Sequence, residues 1–196
     1  MEVTAGSTSK YKKYNDSVSG PESRGSYTIV NNTKTVTIDG KKKKVIKPVE
    51  QWAIGRYQHY YKYQKGKIIA ALKARGIDTE GLSKDKIALA YSNSPEAQEI
   101  VQALINDINF KAAENQISKH GLKASVEEIA FLNHYLGNAG AERYLSYLDK
   151  YGYDEAGQAK ADYEMAYGPK GIGGPDSSNP NAFVSKHIAK FKAANT

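Results

Sequence analysis

Between Lys67 and Gly152 the chain is punctuated by helix starts and stops, and their spacing commits most of it to packed helices. Lys67-Ile68-Ile69-Ala70-Ala71-Leu72-Lys73-Ala74-Arg75 predicts a helix stopped by Gly76, and Ser83 to Tyr91 predicts a short one. Ser94-Pro95-Glu96-Ala97-Gln98 combines a capping hydroxyl, a proline in the first turn and acidic character near the N-terminus. Ile100, Val101, Leu104, Ile105 and Ile108 then recur at helical spacing, so this element is expected to reach about Lys119, before His120-Gly121. Ser125-Val126-Glu127-Glu128 reads as a capping box, with Ile129, Leu132 and Leu136 on one face of the helix that follows. Gly137-Asn138-Ala139-Gly140 breaks that helix, and another is expected from Ala141 to Lys150, with Tyr144, Leu145 and Leu148 inward and Gly152 at its end. A segment rich in Tyr, Asp and Glu and the glycine-rich loop Gly168 to Pro175 lead to a last short helix over roughly Val184 to Ala193. No repeated unit is present.

The N-terminal third reads differently. Residues 1 to about 20 are Ser, Thr, Gly, Lys and Tyr with almost no aliphatic content, which predicts a polar arm rather than core. Thr35-Val36-Thr37-Ile38-Asp39-Gly40-Lys41 sets β-branched residues around an Asp-Gly turn, the signature of a β-hairpin. Lys41-Lys42-Lys43-Lys44 follows at once and reads as a solvated edge that blocks further strand pairing. Together these elements predict an α+β chain, predominantly helical, with one small β-hairpin.

Composition narrows the chemistry. The 196 residues suffice for one domain with a real core. There is no cysteine, so a disulfide framework, a thiolate metal site and a cysteine nucleophile are all excluded. No apolar run approaches the roughly 20 residues of a membrane helix. The first residues lack the basic-then-apolar pattern of a signal peptide, which predicts synthesis in the cytosol and delivery by some other vehicle. Net charge is +7, from 28 Lys and Arg against 21 Asp and Glu, and such a surface attracts polyanions. The four histidines, His59, His120, His134 and His187, show no metal-binding spacing, so no metal is expected. Residues 168–174 contain no phosphate-binding glycine pattern, and no Gly-x-Ser-x-Gly elbow occurs.

One set of short motifs stands out in order along the chain. Pro21-Glu22-Ser23-Arg24-Gly25-Ser26-Tyr27-Thr28-Ile29-Val30-Asn31 places an acid directly before Ser, with Tyr and Asn after it. Ala53-Ile54-Gly55-Arg56-Tyr57-Gln58 follows, then Phe131-Leu132-Asn133-His134-Tyr135-Leu136-Gly137-Asn138-Ala139-Gly140-Ala141, and finally Asn179-Pro180-Asn181-Ala182-Phe183. In this order they resemble the goose-type lysozyme and lytic transglycosylase group, in the form carried by tailed bacteriophages. The resemblance implies a lysozyme-like domain over 21–196, preceded by the arm at 1–20. It also marks Thr33 to Glu50, the hairpin, as an insertion where the family has a short link. A second departure is Arg24-Gly25, where the family has its second glycine.

The same resemblance implies roles. Glu22 would be the catalytic acid, at a loop-to-helix transition, and Ser23, Tyr27, Asn31, Gln58, Tyr135 and Asn138 would bind substrate. Cleaving a β-1,4 glycosidic bond requires a proton on the leaving oxygen as an oxocarbenium-like centre develops, and that acid must stay protonated near neutral pH. A retaining or inverting glycosidase needs a second carboxylate. The acids nearest the motifs, Asp16, Asp39 and Glu50, have no counterpart in the family. The resemblance therefore implies one carboxyl group working alone: Glu22 protonates the glycosidic oxygen and then takes the proton of the sugar's C6 hydroxyl, closing a 1,6-anhydro ring. A muramidase route with water as acceptor stays open. The implied setting is a virion tail or baseplate, made in the host cytoplasm and acting at the bacterial wall. Its partners would be peptidoglycan strands and other tail or baseplate subunits, with no cofactor, no nucleic acid and no membrane span. A structural tail or baseplate protein that keeps such a fold without activity is the alternative.

Overall fold

The computed structural model describes residues 11–168 together with Val184 and Ile188, and only the backbone at Gly20, Pro21 and Glu22. The fold is mostly helical with a small antiparallel sheet, and the chain divides into two compact units, residues 1–104 and 105–196.

The N-terminal unit opens with α1 (Lys12–Ser23), which corrects the expectation of a polar arm for residues 11–20. Tyr11, Tyr14 and Val18 are buried at helical spacing. Tyrosine rings supply the apolar area that aliphatic side chains supply elsewhere. Two buried serines turn their hydroxyls back onto helix carbonyls, Ser17 Oγ to Lys13 O at 3.0 Å and Ser19 Oγ to Asp16 O at 3.1 Å, so neither leaves an unmet donor. The helix therefore ends at Glu22-Ser23 instead of beginning there. Arg24 and Gly25, at φ 54° and 77°, turn the chain out of it. Residues 1–10 lie outside the described residues.

Three two-residue strands follow in the order β1 (Val30–Asn31), β4 (Ala53–Ile54) and β5 (His59–Tyr60), all antiparallel. Such short strands carry no alternation long enough to be read from sequence. The expected hairpin leaves this sheet between β1 and β4. Its strands, β2 (Thr33–Ile38) and β3 (Lys41–Ile46), pair from Thr33↔Ile46 to Ile38↔Lys41. Asp39 and Gly40 both take positive φ, 52° and 71°, as a two-residue hairpin turn of matching twist requires. At its base, Trp52 Nε1 donates to Lys47 O at 2.9 Å.

A 3-10 turn (Val49–Gln51) leads through β4 and β5 to α2 (Tyr61–Ala74), then α3 (Lys84–Ser92). Helix α2 starts six residues before the aliphatic run that predicts it, because Tyr61 is buried as its first anchor beside Ile68, Ala71 and Leu72. The long α4 (Pro95–His120) matches its expected bounds, but its deeply buried face is unusual. Gln98, Gln102, Asn106, Asn109 and Gln116 are buried along it with Ala97, Val101 and Ala113, whereas Ile108 is half exposed. Other elements bond the side chains of three of these amides: Arg56 N and Tyr27 O meet Gln98, His59 meets Gln102 and Asn133 meets Gln116.

In the C-terminal unit, α5 (Val126–Leu136) has the predicted capping box. Glu128 N donates to Ser125 Oγ at 3.2 Å and Ser125 N to Glu128 Oε2 at 3.1 Å. Gly137, at φ 70°, separates α5 from α6 (Asn138–Tyr151). Helix α7 (Glu155–Tyr167) has no counterpart in the sequence reading. Its buried residues are Gly157, Ala161, Asp162, Met165 and Ala166, too small and mixed to give an aliphatic period. Gly157 allows its first turn to approach the Gly152 carbonyl, 2.1 Å from where a Cβ would stand. The glycine-rich loop from Pro169 and the Asn-Pro-Asn-Ala-Phe motif lie outside the described residues. Of the expected last helix, Val184 and Ile188 are described, both helical.

His134, on α5, keeps a little surface exposed, yet the dense packing around it lowers its pKa to about 4 through desolvation. A neutral folded imidazole and an unfolded one titrating near 6.5 mean that the unfolded chain binds more protons between those values. Stability should therefore fall as pH drops from about 6.5 to about 4, by an amount of order 2 kcal/mol from this group. Urea midpoints measured across that window should decline less steeply for His134→Gln than for the wild type.

Candidate functional site

The first two motifs meet in the N-terminal unit through residues 33 positions apart, Ser23 and Arg56. Ser23 Oγ, buried at the end of α1, donates to Arg56 O at 2.5 Å and lies 3.3 Å from Ser19 O. Ser23 thereby fixes the last turn of α1, which contains the Glu22 backbone, against the Gly55–Gln58 turn that joins β4 to β5. The Glu22 side chain is outside the described residues.

That turn has a demanding shape. Gly55 and Gln58 both take positive φ, 75° and 50°. A Cβ at Gly55 would stand 1.9 Å from Gln98 Oε1, so only glycine fits. The vacant volume admits the fully buried Gln98 side chain. Its Oε1 accepts from Arg56 N at 2.8 Å, and its Nε2 lies within 3.0–3.2 Å of the carbonyls of Tyr27, Tyr91 and Ser92. Gln58 folds back on the same turn, donating from Nε2 to Gly55 O at 2.8 Å.

Around the turn sits a polar cluster that sequence reasoning missed. Glu99 Oε1 accepts from Tyr27 OH at 2.6 Å and from Tyr57 OH at 2.7 Å. Arg56 Nη1 donates to Tyr27 OH at 2.8 Å and stands 3.7 Å from Glu99 Oε1, while Nη2 pairs with Asp16 on α1. The guanidinium also lies over the Tyr27 and Tyr57 rings, 5.2 and 5.5 Å from their centroids. Burial, reinforced by the Glu99 carboxylate, pushes both phenols above their ordinary range, so both remain hydrogen-bond donors. Lys12 first, and Arg56 with it, hold Asp16 below the usual carboxylate range. Behind the turn, buried His59 bridges Tyr91 OH (2.6 Å from Nδ1) and Gln102 Oε1 (2.8 Å from Nε2). The amide oxygen can only accept, so Nε2 carries a proton.

The sequence-derived residues thus fall into groups. Ser23, Tyr27 and Gln58 converge on the Gly55 turn. Asn31 lies on β1 opposite Ala53, exposed, with Lys47 Nζ at 3.2 Å from its Oδ1. Tyr135 and Asn138 belong to the C-terminal unit. There Tyr135 stacks on Phe131 with centroids 6.4 Å apart, and Gln116 Nε2 reaches Asn138 O at 3.5 Å. Beside them the buried Asn133 Nδ2 donates to Gln116 Oε1 at 2.9 Å and to Asn109 O at 3.3 Å. A largely apolar hollow of about 600 Å³ in that unit is lined by Leu122, Ile129, Leu132, Tyr144, Leu145 and Leu148, and touches none of the sequence-derived residues. No group of His, Asp and Glu among the described residues is arranged to hold a metal, and no described helix is long and apolar enough to cross a membrane.

Two of the missed residues had a signal in the chain: Arg56 and Tyr57 lie inside a motif. Glu99 and Gln98 sit on a helix whose bounds are recognisable, but nothing local says that they face residues 27 and 55–57. Comparisons with protein-family models, curated proteins and solved structures find no match.

Two glycines test the geometry. Gly55→Ala should cost about 2–3 kcal/mol, from positive φ and the clash with Gln98. Gly66→Ala, in the exposed interior of α2 with open space around it, should instead stabilise by about 0.5–1 kcal/mol. Chemical denaturation of both variants at unchanged m-value measures the contrast.

Proposed function

We propose that this chain is a peptidoglycan-cleaving lytic transglycosylase or muramidase that uses Glu22 as its single acid on the β-1,4 MurNAc-GlcNAc bond, carried by a phage tail or baseplate. The observation that supports it most is the bond from Ser23 to Arg56 O, which joins the acid-Ser segment to the Gly-Arg-Tyr-Gln turn. Two segments distant in sequence but resembling one active site have a reason to be adjacent if both serve one substrate. The backbone of Glu22 lies in the last turn of α1, directly before Ser23.

A structural role in the tail or baseplate is the second reading, and one observation favours it. The polar groups of Ser23, Tyr27 and Gln58 bond to other parts of the unit, which is how a scaffold uses them.

Digestion of purified sacculi separates the readings. Wild type should release muropeptides with anhydromuramyl ends, and Glu22→Gln should lower that release by about 10²–10⁴-fold. Reducing ends in the mass spectrum would assign water as the acceptor instead. No release by wild type would leave the structural reading.

A further inference from the structure

The β2–β3 ribbon projects five lysines, Lys34, Lys41, Lys42, Lys43 and Lys44, all exposed. None is paired with a carboxylate among the described residues, and the only acid in the ribbon is Asp39 in the turn. Blocking an edge strand takes a charge or two. Here the charge continues onto the opposite strand.

The register shows how the ribbon accommodates it. Each lysine stands opposite a β-branched residue: Lys34↔Val45, Thr35↔Lys44, Val36↔Lys43, Thr37↔Lys42 and Ile38↔Lys41. No two lysines are cross-strand partners, so the worst repulsion is avoided while the charge density is kept. Strand alternation sends Lys42 and Lys44 to one face, with Thr33, Thr35 and Thr37, and Lys34, Lys41 and Lys43 to the other. Neighbouring lysines on one face are about 7 Å apart along the strand.

This distribution selects among polyanions. Reading a duplex groove calls for planar, bidentate side chains on one face, and the ribbon has no Arg, Asn or Gln. Insertion into a lipid surface calls for one apolar face free of charge, but Val36, Ile38 and Val45 share theirs with Lys34, Lys41 and Lys43, and Ile46 lies on the other. Hydrated point charges all round a rod suit a flexible chain of phosphodiesters that wraps it without register. We propose that the ribbon is a cationic arm that binds an anionic phosphodiester polymer of the bacterial wall, of the poly(alditol phosphate) type attached to glycan strands. The choice of a wall polymer rests on the glycan-cleaving reading.

The test is binding of the full chain to purified poly(glycerol phosphate), read by titration calorimetry over a range of salt. Wild-type affinity should fall by about a hundredfold between about 50 and 200 mM salt, and that of the Lys41→Gln, Lys42→Gln, Lys43→Gln, Lys44→Gln variant by about threefold from a much weaker start. The matching four-fold Lys→Arg variant should bind like wild type, and unchanged circular dichroism of both variants shows that the fold is kept. Equal binding by wild type and the glutamine variant would overturn the proposal, as would tighter binding to duplex DNA or to phosphatidylglycerol vesicles at equal phosphate concentration. Polymer binding by a protein that releases nothing from sacculi leaves the arm in place and removes only the catalytic reading. Sacculus cleavage without polymer binding removes only the arm.

Discussion

The amide of Gln98 is the interaction on which the N-terminal unit depends. It is fully buried, and its two polar atoms serve four backbone groups from three places: the turn at Arg56, the segment at Tyr27, and the end of α3 at Tyr91 and Ser92. A buried amide with unmet bonds would cost more than an apolar side chain, so full satisfaction is the condition of its presence. The condition propagates to Gly55, where any side chain would occupy the space of Gln98 Oε1. Through Gly55 it sets the whole β4–β5 turn, and through Arg56 O and Ser23 it sets the end of α1.

The same logic runs along α4. On this helix buried amides add directional bonds to the packing of Ala97, Val101 and Ala113. His59 with Gln102 in one unit, and Asn133 with Gln116 in the other, are local instances. Directional bonds specify geometry tightly, because a shift of an ångström breaks them, whereas an aliphatic contact would slide. Such a scaffold suits a protein whose residues must be positioned, whether to hold a sugar chain or a neighbouring subunit.

Arg56 and Glu99 give the site its electrostatic character. A half-buried guanidinium and carboxylate, with two phenols donating to the same carboxylate oxygen, form a fixed dipolar array beside the end of α1. Breaking one member would leave the others with unmet charge or donors. The array thus acts as a unit, and Tyr27 belongs to it as a structural donor, whatever else it contacts.

What was legible in the chain was the punctuation. Glycines at 76, 137 and 152, the Ser-Pro start at 94–95, the capping box at 125–128 and the Asp-Gly turn act within a few residues, so local sequence sufficed to place α3, α4, α5 and the hairpin. The adjacency of the acid-Ser segment and the Gly-Arg-Tyr-Gln turn has no local signal in the chain. The helix at 12–23, the helix at 155–167 and the two-residue strands were not legible, because tyrosines, small residues and backbone pairing carry them, without aliphatic periodicity. The roles of Gln98, Glu99 and Asp16 were beyond reach for a different reason. A polar side chain has no preferred side of a helix until a partner is supplied, and the partners that join these three to the turn, Arg56 and Tyr57, lie 40 or more residues away along the chain. By itself the sequence determined where helices begin and end and where the lysines stand. The tertiary structure alone decided which polar groups are buried, because burial of a hydrogen-bonding group is settled by its partners and not by its own chemistry.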